Sequence, residues 1–126
     1  MIFVDTNVFM YAVGGPHPLR DGARSALADR FDTGAPLATS VEVLQELMHA
    51  YLPVNRLETL DAALQLATEI GEVWAVETED VLDARSLHDR YPALAARDLL
   101  HLAVCLRRDV TELLTFDRAL AAAWIG

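Results

Sequence analysis

Four acidic side chains stand at separate points of the chain where a metal-assisted attack on a phosphodiester would need them. They are Asp5 in IFVDTN, Glu46 in SVEVLQEL, Asp98 in ARDLLHLA and Asp117 in LTFD. Two carboxylates about 5 Å apart repel by roughly 3 kcal/mol at an effective dielectric of about 20, so several converging on one crevice need shared protons or a cation. Oxygen ligands without a His or Cys partner point to Mg²⁺ or Mn²⁺ rather than zinc. Such ions activate water and stabilise charge on a phosphodiester during in-line displacement.

The elements that must position these acids follow from the flanking residues. Ile2, Phe3 and Val4 form a short apolar run, and Thr6-Asn7 begins a helical pattern, so Asp5 ends a buried strand. Glu112 to Thr115 has the same grammar, with Asp117 two residues beyond. In an open α/β sheet the crevice beyond the carboxyl ends of the strands is where ligands bind, so two strand-end carboxylates can face one crevice.

Between them, strand and helix signals alternate. A helix from about Asn7 to Val13 stops at Gly14-Gly15-Pro16, and a second runs from about Pro18 to Phe31. Pro36 to Thr39 reads as a strand, and Ser40 as the N-cap of a helix whose buried face is Leu44, Leu47, Met48 and Tyr51. A helix from about Leu57 to Ile70, a strand near Val73 to Val76 and a helix from about Glu79 to Arg90 follow; Pro92 then starts or precedes the helix carrying Asp98. This alternation predicts an α/β fold, a parallel sheet covered by helices on both faces.

With 126 residues and 53% apolar content the chain can bury one sizeable core, so a single domain over residues 1–126 is expected. The single cysteine, Cys105, excludes an intrachain disulfide and a cysteine metal site, which fits a reduced cytoplasmic setting. No basic leader and no apolar run of membrane-spanning length are present, so no membrane partner is expected. A net charge of −9 argues against nucleic-acid binding by bulk attraction, so any such substrate would be held locally. All ten basic residues are arginine, suited to bidentate phosphate contacts.

Each acid alone also has an ordinary explanation. Asp98 suits the positive end of a helix, Glu46 a solvated face with Glu42 one turn earlier, and Asp117 the N-cap of a last short helix. Asp5 is the hardest to explain away, because an acid ending an apolar strand is desolvated. The helix around residues 98–106 is apolar nearly all round and reads as central, so His101 is read as a hydrogen-bonded core histidine ahead of a crevice group. His17, His49 and His88 have no metal-ligand spacing. Arg97 and Arg118 flank acidic positions and could meet phosphate or pair with acids, and Arg107-Arg108 reads as a helix-end cap.

The N-terminal Asp-Thr-Asn after an apolar strand, the helix SVEVLQELMHA, the Asp-x-x-His-x-Ala segment and the following Thr-x-Asp together resemble the PIN-domain proteins, specifically the VapC-type toxin ribonucleases of bacterial toxin-antitoxin pairs. The resemblance runs across nearly the whole chain. It implies an α/β/α sandwich, a metal-dependent endoribonuclease using Mg²⁺ or Mn²⁺, products with a 5′-phosphate and a 3′-hydroxyl, a homodimer, and a VapB-type antitoxin that inserts a segment across the active site. Carried onto this sequence, it makes Asp5, Glu46, Asp98 and Asp117 the acidic quartet, with Asp5 and Asp98 direct metal ligands. Thr6, Asn7 and Thr115 become supporting groups, and the family pattern selects Glu46 over Glu42.

The chain departs from that pattern after its last motif. Members often carry an acid and an aromatic there and continue into another strand, whereas this sequence reads Asp117-Arg118-Ala119-Leu120 and then Trp124-Ile125-Gly126. Phosphatases with an aspartate nucleophile and phosphorylated receiver domains also place Asp at a strand end, but both need a lysine and this chain has none. Gly14-Gly15 precedes no Lys-Ser/Thr pair, so no phosphate-cradling loop is encoded. The alternative from another class is a PIN-like binding module without chemistry, against which the presence of all four acids speaks.

Overall fold

The computed structural model describes residues 1–125; Gly126, the last residue of the expected domain, lies outside the described residues. The chain runs β1 (Ile2–Val4), α1 (Thr6–Val13), α2 (Arg20–Asp32), β2 (Leu37–Ser40), α3 (Val41–Tyr51), α4 (Leu57–Glu69), β3 (Glu72–Trp74), α5 (Thr78–Leu87), α6 (Ala96–Leu106), β4 (Glu112–Leu114) and α7 (Arg118–Ile125). The four strands form one parallel sheet in the order β3-β2-β1-β4. Helices α1 to α4 pack on one another, as do α5, α6 and α7, giving the expected α/β/α sandwich.

The strand order carries the functional geometry. The chain builds outward from β1 through β2 to β3, then returns to lay β4 on the other side of β1. The direction of winding therefore reverses between β1 and β4, the position at which open parallel sheets form their ligand crevice. Register sets Val4 opposite Leu114, so the residues following each strand emerge side by side.

Phe3, Val4, Val8, Phe9, Val43, Leu47, Leu102, Val104 and Leu120 are almost completely buried and join the sheet to both helical layers. Burying each such side chain contributes about 1.5–3 kcal/mol, so the crevice rests on a rigid floor. Gly71 is needed where α4 turns into β3: a Cβ there would lie 2.1 Å from the Leu37 carbonyl oxygen, so only a glycine lets β3 approach β2.

Several expected boundaries move. The second strand is Leu37–Ser40 rather than Pro36 to Thr39, because Pro36 has no N–H to donate, although its carbonyl accepts from Ile2 at 2.8 Å. The third strand is Glu72–Trp74, and α5 ends at Leu87 in place of Arg90, where the chain tightens into turns. More consequential is α3, whose buried residues are Val43, Leu47 and Tyr51, with Met48 42% exposed. Leu47 and Tyr51 are on the expected face and Leu44 is half-buried against the core, but Met48 points out and Val43 takes its place. The observed face brings Glu46 inward, out of the solvated position its sequence neighbourhood suggested. On α6, residues 101–105 are all buried as expected, but Leu106 is 57% exposed.

Candidate active site

Asp5 follows β1 and caps α1, its Oδ1 accepting from the Thr6 backbone N–H at 2.7 Å. Its Oδ2 accepts from the Thr115 hydroxyl at 2.7 Å and from the Asn7 amide at 3.4 Å. The carboxyl is buried, and burial raises its pKa above the ordinary aspartate value; the charge of His101 and the Thr115 and Thr6 hydrogen bonds oppose this without cancelling it. Three donors from two elements thus hold one desolvated carboxyl at the switch point.

Thr115 ties the β4 end to the same centre. Besides donating to Asp5, its Oγ1 accepts from the Asp117 backbone N–H at 3.0 Å and from the Asn7 amide at 3.3 Å. The Asn7 side-chain Oδ1 accepts from the Phe116 backbone N–H at 3.1 Å, closing a ring of bonds between the β1 and β4 ends. Asp117 caps α7, with Oδ1 accepting from the Leu120 N–H at 3.0 Å. Capping and a place in the crevice are compatible, because the cap uses one of its two oxygens.

Glu46 reaches the group from α3. Its Oε2 accepts from the Thr6 hydroxyl at 3.1 Å, and its Oε1 forms a short hydrogen bond with His101 Nε2. Burial pushes the Glu46 carboxyl up, but the hydrogen bond and charge of His101, the Thr6 hydroxyl and the charge of Arg97 outweigh it and hold the pKa below the ordinary glutamate value. Glu42 goes the other way, raised by burial and by Glu46. The two glutamates are thereby distinguished by structure: Glu46 is tied into the network, whereas Glu42 is not among its hydrogen-bond partners.

Asp98 lies in the first turn of α6 and accepts no side-chain hydrogen bond among the described residues. Its carboxyl is raised first by burial and then by the charges of Asp117, Asp5 and, more weakly, Glu46. Four acids from four different chain segments therefore feel one another, three of them through Asp98. His101, three residues on along α6, is buried and faces both Glu46 and Asp5, its Nε2 3.6 Å from Asp5 Oδ1. Burial disfavours its charged form, but Glu46, Asp5 and Asp98 outweigh that and raise its pKa. The expected core histidine is a core histidine whose partner belongs to the crevice.

Other basic residues divide by environment. Arg97 and Arg118 are exposed and form no ion pair among the described residues. Arg107 and Arg108 do more than cap a helix end, since both clamp the buried Asp80 on α5, at 2.8 and 3.1 Å. A groove of about 610 Å³ runs between α5 and α6, lined by Glu42, Val81, Leu94, Arg97 and Leu99 among others, but by none of the four acids.

Among the described residues no three His, Cys, Asp or Glu side chains are drawn into a ready-made metal cage. The donor set nevertheless fits a hard divalent cation. Asp5 and Asp98 are both raised by burial and by neighbouring carboxylates, a charge imbalance that a cation bound to oxygen relieves.

An α/β/α sandwich with acids gathered at the β1/β4 switch point defines a class of carboxylate-site proteins, and comparison gives its family. Residues 2–123 match the PIN domain model, and the chain belongs to the PIN-domain family, among the VapC toxins. Ribonuclease VapC23 of Mycobacterium tuberculosis is 57% identical over 124 residues, 98% of each chain. Ribonuclease VapC13 of the same organism is 41% identical over 119 residues, 94% of this chain and 91% of that protein. Among solved structures, the M. tuberculosis VapC20 toxin, a sarcin-ricin loop cleaving toxin, superposes with a TM-score of 0.82 at 20% identity, covering 98% of this chain and 95% of the other. VapBC2 of Rickettsia felis, bound to a promoter DNA fragment, gives a TM-score of 0.73 at 21% identity over 93% and 89% of the two chains.

Proposed function

We propose that this chain is a toxin endoribonuclease that hydrolyses RNA phosphodiester bonds with Mg²⁺ or Mn²⁺, acting as a single domain whose site is the acidic crevice. The observation that carries this reading is the convergence of Asp5, Glu46, Asp98 and Asp117 at the switch point of a chain 57% identical to a ribonuclease.

Asp5 and Asp98 would hold the cation, and Glu46 and Asp117 would bind it through water or complete a second site. When bound, the ion supplies activation of water and neutralisation of the phosphate charge. The chain supplies the positioning. Thr6, Asn7 and Thr115 spend their donors on Asp5 and Glu46, so these carboxylates meet an incoming phosphodiester already oriented. Arg97 and Arg118, beside Asp98 and Asp117, offer guanidinium groups to flanking phosphates, a local attraction that a net charge of −9 does not supply.

A cognate VapB-type antitoxin is the expected partner, in keeping with the toxin-antitoxin complexes among the structural neighbours. Homodimerisation and a cytoplasmic location belong to the same proposal; no helix among the described residues is long and apolar enough to cross a membrane.

The test is cleavage of purified cellular RNA by antitoxin-free protein with Mg²⁺, Mn²⁺ or EDTA. Discrete fragments that need the cation and vanish in folded Asp5→Asn are expected. Cleavage that persists in EDTA or in that variant would overturn the proposal, and no cleavage by folded wild-type protein would favour a binding module.

A further inference from the structure

His101 has no assigned part in the reaction, yet its contacts are unusual for a core histidine. The ring is 1% exposed, lies 5.8 Å from the ring of Phe3 and directs Nε2 at Glu46 Oε1, with Asp5 Oδ1 3.6 Å away. Its other nitrogen, Nδ1, is buried without a hydrogen-bond partner among the described residues. An apolar residue of similar volume would avoid that unpartnered atom, so packing alone does not account for a histidine here. Among the described residues, the ring's only hydrogen bond is the one made to the crevice.

That bond completes the restraint of Glu46. One carboxylate oxygen accepts from the Thr6 hydroxyl on α1, and the other is tied to His101 on α6, so a side chain carried by α3 is fixed from two other helices. Because Thr6 is also the residue whose backbone N–H holds Asp5, Glu46 and Asp5 are positioned as one unit. A free glutamate side chain has three rotatable bonds and loses rotamer entropy when it is held in one place; here that ordering is complete before substrate arrives.

We infer that His101 is a positioning residue of the nuclease, whose Nε2–H, together with Thr6 Oγ1, locks the Glu46 carboxylate in register with Asp5. This rests on the nuclease reading for its catalytic consequence, but not for the contact itself. Glu46 then meets the reaction in one fixed orientation and not as a freely moving side chain. Partners that orient ligand groups in this way typically change activity by about 10- to 100-fold when removed.

The test has two arms on the full chain. In RNA-free protein, nitrogen-15 spectra of the histidine rings are recorded for wild type and Glu46→Gln. A hydrogen-bonded Nε2–H signal from His101 that shifts strongly in Glu46→Gln is expected, and a signal indifferent to the substitution overturns the contact. In the second arm, cleavage kinetics compare His101→Phe, which keeps ring volume without a donor, with His101→Gln, whose amide can place an N–H near the Nε2 position. The expected result is a kcat reduced roughly 10- to 100-fold in His101→Phe with KM little changed, substantial recovery in His101→Gln, and no further loss when His101→Phe is added to Glu46→Gln.

Full additivity of the two substitutions, or equal loss in His101→Phe and His101→Gln, would show a structural role and overturn the inference. Should His101→Phe fail to fold, the cycle is run with His101→Leu, and failure of both to fold while His101→Gln folds without restored activity counts against it. If wild-type protein cuts no RNA, the nuclease reading and its catalytic consequence fall together, while the nitrogen-15 arm still decides the contact.

Discussion

Thr115 links three parts of the crevice, donating to Asp5 and accepting from Asn7 and the Asp117 backbone. Thr115→Val keeps the shape and removes all three bonds. It is expected to lower cleavage by roughly 10- to 100-fold, the usual consequence of losing a group that orients an active carboxylate, with RNA affinity largely unchanged. Single-turnover kinetics at saturating protein check this; an unchanged rate would mean that Asp5 needs no restraint from β4. At this scale the sequence was informative about acids at element ends, because a carboxylate after an apolar strand has few structural roles. Glu46 and His101 were harder to read. Which face of α3 is buried is decided by Val43 fitting the core ahead of Met48, a packing outcome that periodicity alone leaves open. A signal for His101 did exist: three residues after Asp98 on one helix, it must share that acid's side of α6.

Among the elements, α5 and α6 are joined by a single buried acid. Asp80, fully buried, accepts from Arg107 at 2.8 Å, from Arg108 at 3.1 and 3.2 Å, and from the Glu77 backbone N–H at 2.8 Å as part of a capping box. Arg108 also donates to the Ala75 carbonyl and lies over the Trp74 ring, so the clamp reaches the end of β3. Burial pushes the Asp80 carboxyl up, but the arginines and the Glu77 N–H outweigh it and hold the pKa below its ordinary 3.8. A depressed folded-state pKa contributes stability that is present above the unfolded value and lost as pH falls through the folded one. Asp80→Asn is therefore expected to cost about 3 kcal/mol near neutral pH, as for a buried pair deprived of one partner, and less at an acid pH below the carboxyl's ordinary 3.8, where the folded-state group begins to take up its proton. Urea unfolding at the two pH values measures this, and an equal cost at both would remove the charge clamp from the account. The alternation of elements was legible in the apolar runs and in the stop at Gly14-Gly15-Pro16. This clamp was not, because Arg107 and Arg108 beside a helix end look like ordinary caps until Asp80 is seen between them.

Over the whole molecule, the fold does one thing the sequence could announce only in outline: it reverses its winding between β1 and β4 and so brings Asp5 and Asp117, more than a hundred residues apart, to one edge of the sheet. The βα alternation predicted parallel strands, but strand order is a tertiary property and no local pattern encodes it. Asp98 enters the same region from the opposite helical layer, which is why its carboxyl registers Asp5 and Asp117 together. The central claim is that this convergence is a cation site on which hydrolysis of RNA depends. The most direct measurement is an anomalous difference map from crystals of the antitoxin-free protein soaked in Mn²⁺. The account predicts a peak within coordination distance of the Asp5 and Asp98 carboxylates, absent from crystals of Asp98→Asn. A protein whose acids stay unmetallated at Mn²⁺ concentrations that support cleavage, or a peak bound elsewhere, would contradict it.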